Sequence, residues 1–244
     1  MIKQKRVQKQ RKQRKRRLLL RKRRRQKAAS SDSDNVASEE EAEKAGFSDG
    51  SDEKSDSADT DSENKDSSDS STTSVLLDTS KELTGIHHAE IEVKDYGTID
   101  VELDADTAPI TVTNFVKLAQ EGFYDGLTFH RIMDGFMIQG GDPNGDGTGG
   151  SKENIKGEFS NNGVDNDISH TRGTISMARA SDPDSASSQF FIVQADSTFL
   201  DGDYAGFGHV TEGMDIVDKI QKVKTDRNDR PEEDVVIKKV TVID

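Results

Sequence analysis

Cysteine is absent from this 244-residue chain, which excludes disulfides, thiolate metal sites, a cysteine nucleophile and a lipid-anchored cysteine. Long apolar runs are also missing near the N-terminus. The longest there is Leu18, Leu19 and Leu20, against the roughly 7–15 apolar residues of an export signal or the ~20 of a membrane span. The expectation is a cytoplasmic protein, with the cell surface as the alternative if the true start lies elsewhere. There is no GxSxG elbow, no Walker loop and no GxGxxG running from a strand into a helix, so hydrolase, nucleotide-binding and dehydrogenase readings have no support and no cofactor is implied. The five histidines, His87, His88, His130, His170 and His209, lack tight metal-ligand spacing and are expected to be structural.

What is present is charge, unevenly distributed. Residues 1–27 hold sixteen Lys and Arg and no acid. Residues 28–80 hold sixteen Asp and Glu against three Lys, among many serines. The first block has good helix propensity, but like-charge repulsion should keep it frayed. It reads as a polyanion-binding arm for nucleic acid, the ribosome or an anionic membrane surface, against the alternative of a solubilising tail. It has no aromatic residue for base stacking. The second block has too few large apolar residues to offset the entropy of ordering and is expected to be a disordered, extended linker.

Residues 81–244 contain nearly all the aromatics and are long enough for one ordinary core. Ile91 and Val93, a turn at Asp95, Tyr96 and Gly97, then Ile99, Val101 and Leu103 alternate as an opening β-hairpin. Val112, Phe115, Val116 and Ala119 have helical spacing between Pro109 and Gly122. Residues 174–177, 189–193 and 235–243 read as strands, and 214–223 as a second helix with Ile216, Val217 and Ile220 inward. Many short strands with two helices suggest a closed antiparallel barrel capped by helices, although periodicity alone does not choose barrel over sandwich.

Five segments then occur in order: FHRIMDGFMIQGGD at 129–142, GTGG at 147–150, SMAR at 176–179, SSQFFI at 187–192 and FLDGDYAGFGHV at 199–210. From about His88 onward the chain resembles the cyclophilin family of peptidyl-prolyl cis-trans isomerases. The resemblance implies a mainly β fold, an eight-stranded antiparallel closed β-barrel capped by two α-helices, with a shallow outer groove that binds proline-containing polypeptide segments. It also implies a catalytic role for Arg131 and an apolar proline pocket of Phe136, Met137, Phe191 and Leu200, with Phe199 on its rim. By the same resemblance Gln139 and Gln189 hold the substrate backbone, Ala178 and Arg179 lie on a strand that pairs with it, and Tyr204 belongs to the same site.

The chemistry is consistent with that assignment. Rotation about X-Pro faces a barrier of about 18–20 kcal/mol from amide resonance, and no bond breaks, so no nucleophile is needed. Twisting localises a lone pair on the prolyl nitrogen, and a permanently charged donor aimed there binds the twisted state more strongly than the planar one. Three positions depart from many eukaryotic members: Phe199 replaces Trp, Tyr204 replaces His and Arg179 replaces Asn, as in bacterial members. Without an indole N–H at 199, weak cyclosporin binding is expected.

Asp142, Asn144, Asp146, Gly147 and Glu153 fit the calcium-loop pattern D-x-[DN]-x-[DN]-G-x5-E. A strand-like FMIQ and a Gly-rich run flank it instead of two helices, and Gly149 stands at the usual apolar anchor, so no metal is assigned. The expected function is acceleration of X-Pro isomerisation in folding chains by a monomer, with a proline-peptide binding module of incidental turnover, tethered by its basic arm, as the alternative. If residues 1–27 form a polyanion-binding arm, the full chain should bind single-stranded RNA and lose about a thousandfold or more in affinity between about 50 and 200 mM salt. Deleting residues 1–27 should abolish that binding in a filter-binding titration.

Overall fold

The structure is a computed structural model and describes residues 74–244. The basic block at 1–27 and the acidic segment up to residue 73 lie outside the described residues. Near the start of the described residues, Val75 N–H donates to the Val242 carbonyl at 2.9 Å and the Val75 carbonyl accepts from Gln120 Nε2 at 3.2 Å.

The opening hairpin forms as its alternation dictates. β1 (Ile86–Val93) and β2 (Gly97–Asp104) pair antiparallel, with Ala89 opposite Val101 and Ile91 opposite Ile99, all buried on one face. Asp95 takes the left-handed conformation at φ 66° in the connecting turn. β3 (Arg131–Met133), β4 (Met137–Gly140), β5 (Thr174–Met177), β6 (Phe190–Val193), β7 (Gly206–Glu212) and β8 (Ile237–Val242) complete one eight-stranded sheet in the order β3-β4-β6-β5-β7-β2-β1-β8. All pairings between these strands are antiparallel.

The expected closed barrel needs correction: the sheet is curled but open, with β3 and β8 as its edges. The seam between them holds isolated bridges from Thr128 to Asp142 and to Val236, supported by Phe129 N–H to Val235 O at 2.9 Å and Ile237 N–H to Leu127 O at 2.7 Å. These hydrogen bonds satisfy part of the exposed edges without extending a regular ladder.

α1 (Pro109–Gln120) buries Val112, Phe115, Val116 and Ala119, as the spacing requires. Its N-cap residue, Ala108, cannot cap. Glu158, 2% exposed and remote in sequence, takes over: its carboxylate accepts from the N–H groups of Ile110 at 3.1 Å and Thr111 at 2.8 Å and from Thr111 Oγ1 at 2.7 Å. A carboxylate there also opposes the positive end of the helix dipole. Gly122, at φ 69°, ends the helix in the left-handed conformation. α2 (Met214–Ile220) turns Ile216, Val217 and Ile220 inward and stops three residues before the expected end at 223.

Phe115 of α1 meets Tyr124, Phe190 and Phe207 at ring-centroid distances of 5.1, 5.5 and 5.4 Å, so one helical side chain fills the centre of the curled sheet. Phe115→Ala should therefore lower unfolding free energy by about 3–5 kcal/mol in urea titration, with the denaturant slope unchanged.

Candidate active site

The site is a product of strand alternation. β3 and β4 place Arg131 opposite Gln139, Ile132 opposite Ile138 and Met133 opposite Met137. β4 and β6 then place Gln139 opposite Phe191 and Met137 opposite Val193. Ile132, Ile138, Phe190 and Ile192 consequently point into the main core. Met137, Phe191 and Val193 point to the other face, where they pack with Ala178, Leu200, Tyr204, Met133 and Phe136 in a separate apolar cluster.

This outer cluster surrounds a shallow concavity lined by Arg131, Phe136, Met137, Gln139, Phe191, Leu200 and Tyr204. Seven of the eleven residues assigned from the sequence therefore share one wall. Phe199 stands beside it, 38% exposed, with its ring 5.6 Å from that of Phe136. A short 3-10 turn, Thr198–Leu200, carries Phe199 outward and Leu200 inward.

The remaining three brace the wall. Gln189 accepts from Gln139 Nε2 at 2.8 Å and donates to the carbonyls of Gly147 at 3.1 Å and Gly149 at 2.7 Å, so the Gly-rich loop fixes one glutamine and that glutamine orients the next. Ala178 N–H donates to Gln189 O at 2.9 Å. The Arg179 side chain donates to Asp203 O and Ala180 O, both at 2.9 Å. Its guanidinium lies over the rings of Phe159 at 5.2 Å and Tyr204 at 4.8 Å.

Arg131 is partly buried, and its Nε lies 3.9 Å from Asp229 Oδ2, while Nη2 approaches Met133 Sδ at 3.2 Å. Burial pulls its pKa down and the Asp229 carboxylate acts in the opposite direction. Arginine nevertheless stays charged at working pH, so partial dehydration yields a cation held beside an apolar surface. Burial also raises the pKa of Tyr204, keeping its hydroxyl protonated.

The calcium-like spacing serves a turn. The buried Asp142 carboxylate accepts from the N–H groups of Asn144 at 2.8 Å and Asp146 at 3.0 Å, and from that of Gly147, gathering the loop that supports Gln189.

Several participants are not among the eleven residues assigned from the sequence. Met133 could have been found from its position two residues after Arg131 on a strand. Asp229 and His170 are brought in by loops distant in sequence, and His170 meets Asp201, which follows Leu200 directly. His170 is buried against the back of Phe191, with ring centroids 6.0 Å apart and planes 18° apart.

Residues 88–242 match the family described as "Cyclophilin type peptidyl-prolyl cis-trans isomerase/CLD". The chain belongs to the cyclophilin-type peptidyl-prolyl cis-trans isomerase family. It is 48% identical over 135 residues to peptidyl-prolyl cis-trans isomerase-like 1 of Rhizopus delemar, covering 55% of this chain and 80% of that protein. It is 46% identical over 162 residues to peptidyl-prolyl cis-trans isomerase B of Escherichia coli, covering 61% and 95%. Among solved structures, the crystal structure of a Cryptosporidium parvum cyclophilin-type isomerase in the presence of the dipeptide Ala-Pro is similar at a TM-score of 0.59 and 31% identity, covering 64% of this chain and 98% of that one.

His130, next to Arg131, has both ring nitrogens buried with no hydrogen-bond partner among the described residues. Burial lowers its pKa, outweighing the opposite pull of Asp142. In a histidine NMR titration it should therefore gain its proton below its ordinary value near 6.5. The unfolded chain then binds more protons than the folded one as pH falls through that range, so this residue should make the protein less stable on acidification.

Proposed function

We infer that the chain catalyses cis-trans rotation about X-Pro peptide bonds in unfolded or flexible polypeptides. The observation that carries this reading is the junction, on one strand face, of a partly dehydrated arginine with an apolar seat of Phe136, Met137, Phe191 and Leu200. A pyrrolidine ring buried there loses water from about three CH₂ groups, a gain of about 2 kcal/mol. The seat holds the ring while the acyl side rotates. Arg131 donates toward the prolyl nitrogen, whose lone pair becomes available only as resonance is lost, so its contribution is concentrated in the twisted state.

Gln139 commits Nε2 to Gln189, which leaves Oε1 to accept from the substrate backbone. Gln189, Ala178 and Arg179 hold that geometry, and Phe199 and Tyr204 bound the seat. Residues 1–27 act as a polyanion-binding tether, a reading supported by their sixteen positive charges.

Arg131→Ala should reduce kcat/KM for a short X-Pro peptide by about 10²–10³-fold while the protein stays folded. Arg131→Lys should recover only part, because a compact ammonium does not reproduce the guanidinium fork. Absence of acceleration by the folded wild-type protein, together with peptide binding that survives Arg131→Ala, would replace the enzyme with a proline-docking module. Cyclosporin should inhibit weakly, and Phe199→Trp, which supplies an indole N–H, should tighten inhibition by about tenfold, equivalent to one hydrogen bond.

A further inference from the structure

The proline seat is assembled from two separate parts of the chain. Phe191 lies on β6, in the middle of the sheet, whereas Leu200 and Phe199 lie on the turn Thr198–Leu200. A seat built this way keeps its shape only if the turn is fastened to the sheet. Behind Phe191 a polar chain joins the two: Asp201, the residue that ends the turn, accepts from His170 Nδ1 at 2.9 Å, from His170 N–H at 2.7 Å and from Ser169 Oγ at 2.6 Å. At the other end of the imidazole, Nε2 lies 2.9 Å from Ser176 Oγ on β5. With Nδ1 donating to the carboxylate, Nε2 is the acceptor and the Ser176 hydroxyl the donor.

The ring between these contacts is in turn a packing surface. His170 is fully buried, nearly parallel to Phe191, and edge-on to Tyr204 with centroids 6.5 Å apart and planes at 79°. Its backbone carbonyl also accepts from Ser197 N–H at 2.7 Å, directly before the turn. Ser176 sits opposite Phe191 in the β5–β6 register, so hydroxyl, imidazole, aromatic wall and turn form one contiguous unit. Serine, histidine and aspartate so linked would suggest a nucleophilic triad, but Ser176 and His170 are both fully buried and no substrate carbonyl can reach the hydroxyl.

We propose that His170 and Asp201 are positioning residues for the isomerase site: they clamp the Phe199–Leu200 turn against Phe191 and so preform the proline seat, acting on substrate affinity and not on the rotation step assigned to Arg131. The proposal rests on the isomerase reading of the site. The clamp touches no substrate. It removes a conformational freedom that binding would otherwise have to quench, which is the general origin of affinity gained by preorganisation.

Asp201→Ala removes all three acceptor contacts of the carboxylate and substitutes none of the residues that line the seat. In the full-length protein it should raise KM for an X-Pro peptide, and the dissociation constant of the same peptide in NMR titration, by about tenfold, with kcat within about twofold of wild type. Asp201→Asn, which retains an acceptor oxygen, should recover at least half of that loss on a logarithmic scale. An unchanged dissociation constant in a folded Asp201→Ala protein, or a fall in kcat with KM untouched, overturns the proposal. Should Asp201→Ala fail to fold, Ser176→Ala, which releases only the far end of the imidazole, should raise the dissociation constant about two- to threefold, and no change there overturns it equally. The titration needs no turnover, so a wild-type protein that binds but does not isomerise would refute the isomerase reading while the clamp is still tested by affinity.

Discussion

The register of three short strands is the constraint on which the rest depends. Arg131, Gln139 and Phe191 form one transverse row on β3, β4 and β6 because their partners are set in phase, and the same phase sends Ile132, Ile138 and Ile192 into the core. Since side chains alternate with a period of two, slipping β3 by one residue would bury the guanidinium among Phe129, Phe190 and their neighbours and expose isoleucine in its place. Core and site are thus specified by the same pairing. The large energetic penalty for burying an unpaired charge makes the core a proofreader of the active-site geometry.

Around that row, buried polar groups substitute for regular structure where the sheet cannot reach. Glu158 caps α1 because Ala108 offers no side-chain acceptor, Asp142 gathers the N–H groups of its own turn, and Gln189 spans from Gln139 to the Gly-rich loop. Each is a satisfied hydrogen-bond system in a place where an unmet donor or acceptor would cost about 1–3 kcal/mol. Rigidity of the outer face therefore comes from loops as well as strands. That arrangement suits a reaction whose catalyst must hold a ring still and offer a fixed charge to a rotating bond.

Much of this was legible in the residues. The hairpin of β1 and β2 and the inward face of α1 follow from alternation and 3.6-residue spacing. Strand β5 was bounded at the residues found, Thr174–Met177. Strands β3 and β4 were harder, because three or four residues carry too little periodicity; their assignment as a site came from the FHRIMDGFMIQ motif and not from pattern. Sheet closure was misjudged because it depends on how residues 126–129 meet 235–237, a long-range fit with no local signature. In the Asp142 segment, short side chains at cation-loop spacing make an amide-gathering turn. The stacking of the Arg179 side chain on Phe159 and Tyr204 has no local signature either, being set by aromatic residues twenty or more positions away.

The central claim is that proline is seated and rotated on the outer face of β3, β4 and β6. NMR exchange spectroscopy of an Ala-Pro peptide with a small amount of labelled protein tests both halves in one sample. Cis-trans exchange cross-peaks far faster than the uncatalysed tens to hundreds of seconds are expected, with shift changes centred on Arg131, Met137, Gln139 and Phe191. Exchange at the uncatalysed rate, or shifts confined to another face of the sheet, would contradict it.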